Sequence, residues 1–182
     1  MTARRAVFLD RDGTIIDDVG YPRDIAEIRF VENCLEALAA LHRCGFALVI
    51  VSNQSGVGRG LITVDEMAAF HAAVAEQMAL AGAPIVAAEY CPHSPDEGCV
   101  CRKPQPELLH RAAGALGIAL TESWMIGDKE SDVQAGAAAG CHTIRFAATP
   151  AAVAAGTVAD ALATDWREIA SIVAPECAEP AT

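Results

Sequence analysis

Two short runs of consecutive apolar residues, with one helical stripe between them, set the strongest limit on how this chain can fold. Residues 6–9 and 46–51 are apolar throughout, as is typical of strands that are covered on both faces. From residue 31 to 43, leucine and alanine recur at helical spacing, and Gly45 ends the stripe. A strand, a helix and a second strand in this order form a βαβ unit, which predicts an α/β fold with a mainly parallel sheet.

The rest of the chain repeats this alternation of strands and helices. Its 182 residues are enough for one domain, which we place at residues 1–174. Thr63 and Glu66 have the spacing of a capping box at the start of a helix. Residues 147–156 are expected to form an alanine-rich loop or a poor helix, and 175–182 a flexible tail. We expect helices over 63–81, 106–116, 131–139 and 165–173, strands over 85–90, 124–126 and 142–146, and a short strand near 159–163.

The charge balance limits the classes of partner. The formal net charge of −11 argues against nucleic-acid binding and against binding to an anionic membrane surface. No apolar run approaches the ~20 residues of a membrane span, and the apolar stretch near the N-terminus is too short for a signal peptide. We therefore expect a soluble, cytoplasmic protein, with a monomer as the default. Only 13 residues are Lys or Arg, and those beside the motifs described below predict a locally positive pocket: Arg11, Arg59, Arg102, Lys103 and Lys129.

Acidic and hydroxyl residues directly follow several of the predicted strands. Asp10 and Asp12 come after the first strand, Ser52 after the second and Asp128 after the fourth. The carboxyl ends of parallel strands form one edge of the sheet, where ligands bind. Carboxylates suit Mg²⁺, and a hydroxyl together with Lys103 suits phosphoryl oxygens. Taken alone, the first pair is equally consistent with an ordinary Asp-Gly turn. Together, the residues support an aspartyl-phosphate mechanism, in which a carboxylate nucleophile divides hydrolysis into two steps.

Four potential metal ligands lie within residues 91–101, namely Cys91, His93, Cys99 and Cys101. This set suits tetrahedral Zn²⁺, and because no ligand position is left open, the site is expected to be structural. The alternative is a group of ordinary thiols beside a surface histidine. The odd total of seven cysteines argues against a disulfide framework. The remaining cysteines are therefore expected to be incidental thiols: Cys34, Cys44, Cys141 and Cys177.

In their order along the chain, these motifs resemble those of the haloacid dehalogenase (HAD) superfamily. They are Asp-x-Asp-Gly-Thr at 10–14, Ser-Asn-Gln at 52–54, Lys103, and Gly-Asp-x-x-x-Asp at 127–132. Ser-Asn-Gln-Ser-Gly-Val-Gly-Arg-Gly, Cys-Pro-His and Cys-x-Cys-Arg-Lys-Pro are similar to the heptose bisphosphate 7-phosphatase branch and its histidinol-phosphate phosphatase relatives. The resemblance implies a Rossmann-like, HAD-type three-layer sandwich. The segments that follow the first two motifs are too short for a large cap domain, so we expect an open site walled by small loops.

The resemblance also implies a role for each site residue. Asp10 would be the nucleophile, and Asp12 the general acid and then the general base. Mg²⁺ would be held by the Asp10 side chain, the Asp12 backbone carbonyl and Asp128. Ser52 and Lys103 would stabilise the phosphoryl oxygens in the transition state. The positions that correspond to substrate contacts are Asp18, Val19, Gly20, Tyr21, Asn53, Gln54, Ser55, Arg102 and Lys129.

Three functions remain open on the sequence alone. The first is a Mg²⁺-dependent phosphomonoesterase that removes the 7-phosphate of D-glycero-D-manno-heptose 1,7-bisphosphate, in the synthesis of lipopolysaccharide or glycan precursors. In that reading the zinc loop places Arg102, which could meet the second phosphate. The next is a histidinol-phosphate phosphatase, which the motifs barely distinguish from the first. The last is a zinc-stabilised binding protein without catalysis, against which the intact motifs argue. Arg11 has no assigned role in any of them.

Overall fold

Strands and helices alternate along the chain as the sequence predicts. The computed structural model describes residues 4–147 and 156–175. Its strands are β1 (Ala6–Leu9), β2 (Ala47–Asn53), β3 (Ile85–Cys91), β4 (Trp124–Gly127), β5 (His142–Phe146) and β6 (Ala161–Ala163). Its helices are α1 (Cys34–Arg43), α2 (Ser55–Gly58), α3 (Val64–Leu80), α4 (Glu107–Leu116), α5 (Glu130–Ala139) and α6 (Trp166–Val173).

The predicted and observed elements differ mainly at their ends. The glycine-rich segment after β2, which is not among the predicted helices, contains the one-turn helix α2. The strand expected near 159–163 is shorter, since β6 spans Ala161–Ala163. Thr63 caps α3 through a complete capping box with Glu66, as predicted. Most of the segment expected to be an alanine-rich loop, and all but the first residue of the predicted tail, lie outside the described residues.

The six strands form one parallel sheet in the order β3-β2-β1-β4-β5-β6. β1 lies in its centre, where Leu9 is in register with Ile50 of β2 and Ile126 of β4. The chain therefore leaves three neighbouring strands at the same edge of the sheet. This register brings residues that are far apart in the sequence to one place.

Helices cover both faces of the sheet, which confirms the predicted three-layer sandwich. Val7 and Leu9 of β1 belong to the apolar core formed with α1, α3 and α6, whereas Ala6 and Phe8 belong to the core formed with α4 and α5. All four side chains are fully buried. This two-sided burial is the reason why the strand sequence is continuously apolar rather than alternating.

The connections leave no room for a large cap domain over the strand ends. The segment between β1 and α1 contains only a short 3₁₀ turn at Ile25–Glu27, and α2 and α3 are the helices between β2 and β3. Within the described parts of the chain, no helix is both long enough and apolar enough to cross a membrane.

Two of the cysteines outside residues 91–101 are buried thiols, as expected. Cys34 and Cys141 are free, and burial raises the pKa of both, that of Cys141 to about 12. Cys44 is disulfide-bonded, so its assignment as an incidental thiol is wrong. An odd cysteine count excludes a fully paired framework but does not exclude a single bond, which depends on which cysteines the fold brings together.

Candidate active site

An open cavity of about 410 Å³ lies at the carboxyl edge of the sheet, over the ends of β1 and β2. Asp10 follows β1 directly, and its backbone N–H donates to the Ile126 carbonyl of β4 at 3.0 Å. The edge therefore gathers most of the predicted residues, as expected for parallel strands, but Val19 and Asp128 are not among those that line the cavity. The cavity is lined by Asp10, Asp12, Asp18, Gly20, Tyr21, Ser52, Asn53, Gln54, Ser55, Arg102, Lys103, Lys129, Ser131 and Asp132.

Lys103 is the buried cation of this site. Its Nζ lies 2.6 Å from Asp10 Oδ1 and 2.7 Å from Asp132 Oδ1, and it also donates to the Val51 carbonyl at 2.7 Å. Burial alone would lower the pKa of Lys103, but the charges of Asp10 and Asp132 outweigh burial and raise the pKa above its usual value. The lysine therefore stays protonated, and it holds one oxygen of Asp10 in place.

Asp132 belongs to the site although no role was predicted for it. Its Oδ1 forms an ion pair with Lys103 Nζ at 2.7 Å, and its Oδ2 accepts a hydrogen bond from the backbone N–H of Lys129 at 2.9 Å. Because both oxygens are occupied, this carboxylate is better suited to anchoring the lysine than to binding a metal. The only sequence signal was its position four residues after Asp128, in the first turn of α5.

Asp128 lies next to Asp10 and completes a carboxylate cluster. One oxygen each of Asp10, Asp128 and Asp132 lies within 4.8 Å of the other two. Burial, followed by the charge of Asp10, raises the pKa of Asp128 to about 7, although Lys129 opposes the change. Such crowding of carboxylates favours either a proton or a cation between Asp10 and Asp128. The donor set therefore fits Mg²⁺.

Gly13 allows the first motif to approach this cluster. Its φ is +85°, and a Cβ at this position would lie 2.6 Å from Asp128 Oδ2. Any side chain would therefore both strain the turn and push Asp128 away. The next residue, Thr14, directs its hydroxyl to Asp128 Oδ1 at 3.4 Å, and its carbonyl accepts Trp166 Nε1–H at 3.0 Å.

Asp12 is held by side chains rather than by the metal cluster. Arg11 donates to it through two atoms, with Nε–Oδ1 and Nη2–Oδ2 distances of 2.9 Å. Gln54 Nε2 donates to Asp12 Oδ2 at 2.8 Å and to Ser52 Oγ at 3.0 Å. Gln54 therefore joins the residues after β1 to those of β2.

Arg11 was predicted only to contribute to a positive pocket, and it is not among the residues that line the cavity. Its side chain is almost fully buried although it carries a charge. Its burial follows from the sharp turn after β1, in which the backbone N–H groups of residues 14–16 all approach the Arg11 carbonyl.

Asn53 fixes the backbone of the predicted phosphate clamp. Its side chain accepts from Lys103 N at 3.0 Å and donates to Lys103 O at 3.1 Å. Because a primary amide can satisfy both groups of one backbone residue, this pair aligns the end of β2 with the segment that carries Lys103. Asn53 also lines the cavity.

The four predicted zinc ligands come together at the end of β3. The Cys91–Cys99 and Cys101–Cys99 sulfur distances are 3.5 and 3.7 Å, and His93 Nδ1 lies 3.5 Å from Cys91 Sγ and 3.3 Å from Cys101 Sγ. Tetrahedral Zn²⁺ with bond lengths of about 2.3 Å to sulfur and 2.0 Å to nitrogen requires ligand separations of this size. The Cys-His cluster can therefore hold a metal ion.

This Cys-His loop is attached to the cavity wall. The backbone N–H groups of Gln54 and Gly58 donate to the carbonyls of Cys91 and Pro92 at 2.7 and 2.8 Å, and Arg102 Nη1 donates to the His93 carbonyl at 3.3 Å. A Cβ on Gly58 would meet Ser94 N at 2.6 Å, so this contact requires a glycine. The loop thus supports both α2 and the segment with Arg102 and Lys103.

The residues predicted to contact the substrate at the rim of the cavity differ in exposure and in their hydrogen-bond partners. Lys129 Nζ lies 3.3 Å from Asp18 Oδ2, and both side chains remain about half exposed. Tyr21 accepts a hydrogen bond from Arg59 Nη1 at 3.2 Å. Gly20 lines the cavity, whereas Val19 is 52% exposed and does not line it.

The chain is similar to proteins of one family in both sequence and structure. Residues 100–148 match the family model described as HAD-hydrolase-like. A D-glycero-beta-D-manno-heptose-1,7-bisphosphate 7-phosphatase of Photorhabdus laumondii is 42% identical over 137 residues, which cover 71% of this chain and 73% of that protein. The protein of the same name from Yersinia pestis is 38% identical over 168 residues, which cover 88% of each chain.

Solved structures agree with this likeness. The D,D-heptose 1,7-bisphosphate phosphatase from B. bronchiseptica, complexed with magnesium and phosphate, matches with a TM-score of 0.86 at 29% identity, covering 94% of this chain and 99% of that chain. The sequence identity, the shared length and the similar fold confirm the resemblance to the HAD superfamily. The chain belongs to the heptose 1,7-bisphosphate 7-phosphatase family of HAD-like hydrolases.

Proposed function

We propose that this protein is a Mg²⁺-dependent phosphomonoesterase that removes the 7-phosphate of D-glycero-D-manno-heptose 1,7-bisphosphate. The observation that carries the proposal is the placement of Asp10, whose Oδ1 is held by Lys103 at 2.6 Å in an open cavity. A carboxylate oriented in this way can attack a phosphoryl group with its other oxygen. The name shared by its relatives supplies the substrate.

In the first step, Asp10 attacks phosphorus while the bond from phosphorus to the leaving oxygen breaks. Asp12 would carry the proton on Oδ1, which accepts one described hydrogen bond whereas Oδ2 accepts two, and would give it to that oxygen, so that an alcohol departs and an aspartyl phosphate remains on Asp10. In the second step, Asp12 takes a proton from water, which attacks phosphorus, releases phosphate and restores the Asp10 carboxylate.

Lys103 and Ser52 would stabilise the phosphoryl oxygens during both steps. The three N–H groups of Lys103 are engaged by Asp10, Asp132 and the Val51 carbonyl, so its fixed positive charge would stabilise the charge that develops on the phosphoryl group. Ser52 Oγ accepts a hydrogen bond from Gln54 Nε2, which leaves its own proton available for a phosphoryl oxygen. Both residues reach the cavity from the same strand edge.

The carboxylate cluster is proposed to hold Mg²⁺ through the Asp10 and Asp128 side chains and the Asp12 backbone carbonyl. When bound, Mg²⁺ would offset the repulsion between Asp10 and the incoming phosphate. The Asp12 side chain is engaged by Arg11, in keeping with a backbone rather than a side-chain role at the metal.

We further propose that the Cys-His loop binds one structural Zn²⁺, which would position Arg102 and Lys103. Arg102 and Lys129 also line the cavity, which supports a role for them in binding the second phosphate of a bisphosphate. Asp18, Gly20, Tyr21 and Ser55 would contact the sugar. A cytoplasmic monomer remains the expectation for the enzyme.

The test is turnover of the purified protein on heptose 1,7-bisphosphate and on histidinol phosphate, with Mg²⁺ present. We expect release of one phosphate per heptose bisphosphate and a higher kcat/KM for this compound. A preference for histidinol phosphate would overturn the sugar assignment. Binding of the bisphosphate without phosphate release would instead support the non-catalytic alternative.

A further inference from the structure

We propose that Arg11 is a positioning residue that orients the Asp12 carboxylate for proton transfer, with Gln54 as its partner. This inference rests on the proposed function, because it concerns the group that gives its proton to the leaving oxygen. It gives a role to a buried charge that the proposed mechanism does not otherwise use.

The geometry of the Arg11–Asp12 pair is that of a two-atom fork. Nε and Nη2 each lie 2.9 Å from a different oxygen of Asp12. Two parallel hydrogen bonds from a planar guanidinium define both the position and the plane of a carboxylate, which a single contact cannot do. The fork therefore fixes the direction in which Asp12 faces the cavity.

Burial makes this arrangement stiff. The side chains of Arg11 and Asp12 are only 2% and 14% exposed, and the guanidinium lies 5.1 Å from the ring centre of Phe70. Within the described parts of the chain, Arg11 Nη1 has no hydrogen-bond partner. Asp12 forms the described ion pair of Arg11, so separating the two side chains would leave two largely buried charges unpaired.

Gln54 connects this pair to the phosphate-binding side of the cavity. Its Oε1 accepts from Arg11 Nη2 at 3.0 Å, and its Nε2 donates to Asp12 at 2.8 Å and to Ser52 at 3.0 Å. Its amide is fully engaged with protein groups, although Gln54 was predicted to contact the substrate. The network therefore couples the orientation of the proton donor to that of the phosphoryl-binding hydroxyl.

The histidine near Arg11 is uncharged at neutral pH. His71 and Tyr90 pack edge to face with ring centroids 4.7 Å apart. Burial, followed by the charge of Arg11, lowers the pKa of His71 to about 4, so the imidazole is neutral near pH 7. His71 therefore adds no second positive charge beside Arg11.

The experiment compares two phosphate monoesters that differ in their need for a proton. A primary alkyl phosphate, such as a sugar phosphate, releases an alcohol and requires protonation, whereas p-nitrophenyl phosphate releases a stable anion. Because kcat/KM reports the first, phosphoryl-transfer step, a misplaced Asp12 should lower kcat/KM for the alkyl ester far more than for p-nitrophenyl phosphate. A merely structural role would lower both values by the same factor.

We expect Arg11→Met to lower kcat/KM for the alkyl phosphate by about 10²-fold, the loss typical of a misplaced catalytic group. The value for p-nitrophenyl phosphate should fall by less than about fivefold, since little proton transfer is needed there. Arg11→Lys keeps the charge but loses the fork, so it should show a smaller split of the same sign.

Arg167→Met is the matched control. Arg167 makes a similar fork with Asp165, with distances of 3.2 and 3.1 Å, but on the exposed start of α6. Both esters should be turned over at the wild-type rate by this variant. Equal losses on both esters in Arg11→Met, or no loss on either, would overturn the inference. If Arg11→Met does not fold, Arg11→Lys is judged by the same split.

Failure of this inference and failure of the proposed function give different results. A wild-type enzyme that hydrolyses other alkyl phosphates but not heptose bisphosphate contradicts the proposed substrate, while the ratio between the two esters still tests Arg11. A normal wild-type activity with no split in the Arg11 variants contradicts only the positioning role.

Discussion

The carboxylate cluster and the Cys-His cluster are both candidate cation sites, but they are assembled in opposite ways. The first joins Asp10 to Lys103, 93 positions along the chain, and to Asp128 beyond β4. The second lies entirely within residues 91–101. The first therefore requires the whole sheet before it exists, whereas the second requires only one loop.

The two clusters also differ in what holds them together without a metal. Lys103 and the backbone N–H of Lys129 neutralise and fix part of the carboxylate cluster. The described ion pairs include none to the four ligands of the Cys-His loop, which are held by one another and by the backbone contacts of Gln54 and Gly58. We therefore expect metal loss to stop chemistry at the first cluster and to disturb structure at the second.

The strongest test of this contrast is Asp10→Asn. An amide is not a nucleophile, so phosphate release should fall by roughly 10⁴-fold or more. Zinc content and thermal unfolding should stay close to wild type, because Lys103 keeps its contacts with Asp132 and Val51. Asp17→Asn, an exposed carboxylate in the same loop, is the control. Activity of Asp10→Asn within tenfold of wild type would contradict the mechanism.

The next largest effect is expected at the Cys-His loop. Cys101→Ser should remove the bound zinc, lower the unfolding temperature and reduce kcat/KM by about 10- to 100-fold, because Arg102 and Lys103 follow directly. Metal analysis and thermal unfolding measure the first two effects. Cys141→Ala removes a free buried thiol elsewhere and should keep zinc and activity. A zinc-free Cys101→Ser enzyme with full activity would show that the loop does not position the site.

Lowering the pH should weaken metal binding at the carboxylate cluster but not at the Cys-His cluster, and both effects can be measured in one sample. The pKa of Asp128 is raised to about 7, first by burial and then by Asp10, so protons compete with Mg²⁺ as the pH falls below that value. Since a ligand carboxyl must lose its proton to bind metal, the apparent Mg²⁺ affinity should fall by up to about tenfold per pH unit.

Activity titrations with Mg²⁺ at several pH values between 5.5 and 8 would measure this effect. Higher Mg²⁺ should move the midpoint of the pH profile to lower pH. Zinc content should not change over this range, because thiolates bind Zn²⁺ far more tightly. If the midpoint of the pH profile does not change with the Mg²⁺ concentration, Asp128 is not a ligand of Mg²⁺.

The smallest effect is expected on the rim. Lys129→Met should raise KM for the bisphosphate by roughly three- to tenfold and leave kcat within about threefold, because the exposed ammonium is screened by solvent. The increase should shrink at high salt. Arg111→Met, which breaks an ion pair of 2.7 Å with Glu89 away from the cavity, is the control. A loss confined to kcat would place Lys129 in the chemical step instead.

Most of the fold could be predicted because its cause is local. Buried parallel strands are continuously apolar, and helices carry their own start signals, such as the Thr63–Glu66 capping box. The ends of elements were harder to predict, and the single turn α2 looked like a glycine-rich loop because its stability comes from contacts with the Cys-His loop. The disulfide at Cys44 was also missed, because the pairing of cysteines depends on their distance in space.

For the site, the sequence by itself determined which residue types stand at the strand ends and which four potential metal ligands come together in the Cys-His loop. Short spacings such as Cys-x-Cys restrict geometry strongly, so the prediction needed no tertiary information. The tertiary structure alone decided that Asp132 forms an ion pair with Lys103 and that Asn53 binds the backbone of Lys103. It also decided that Arg11 binds Asp12 from the protein interior. These contacts depend on strand register and on burial, and a charged side chain has the same letter whether it lies in solvent or beneath an active site.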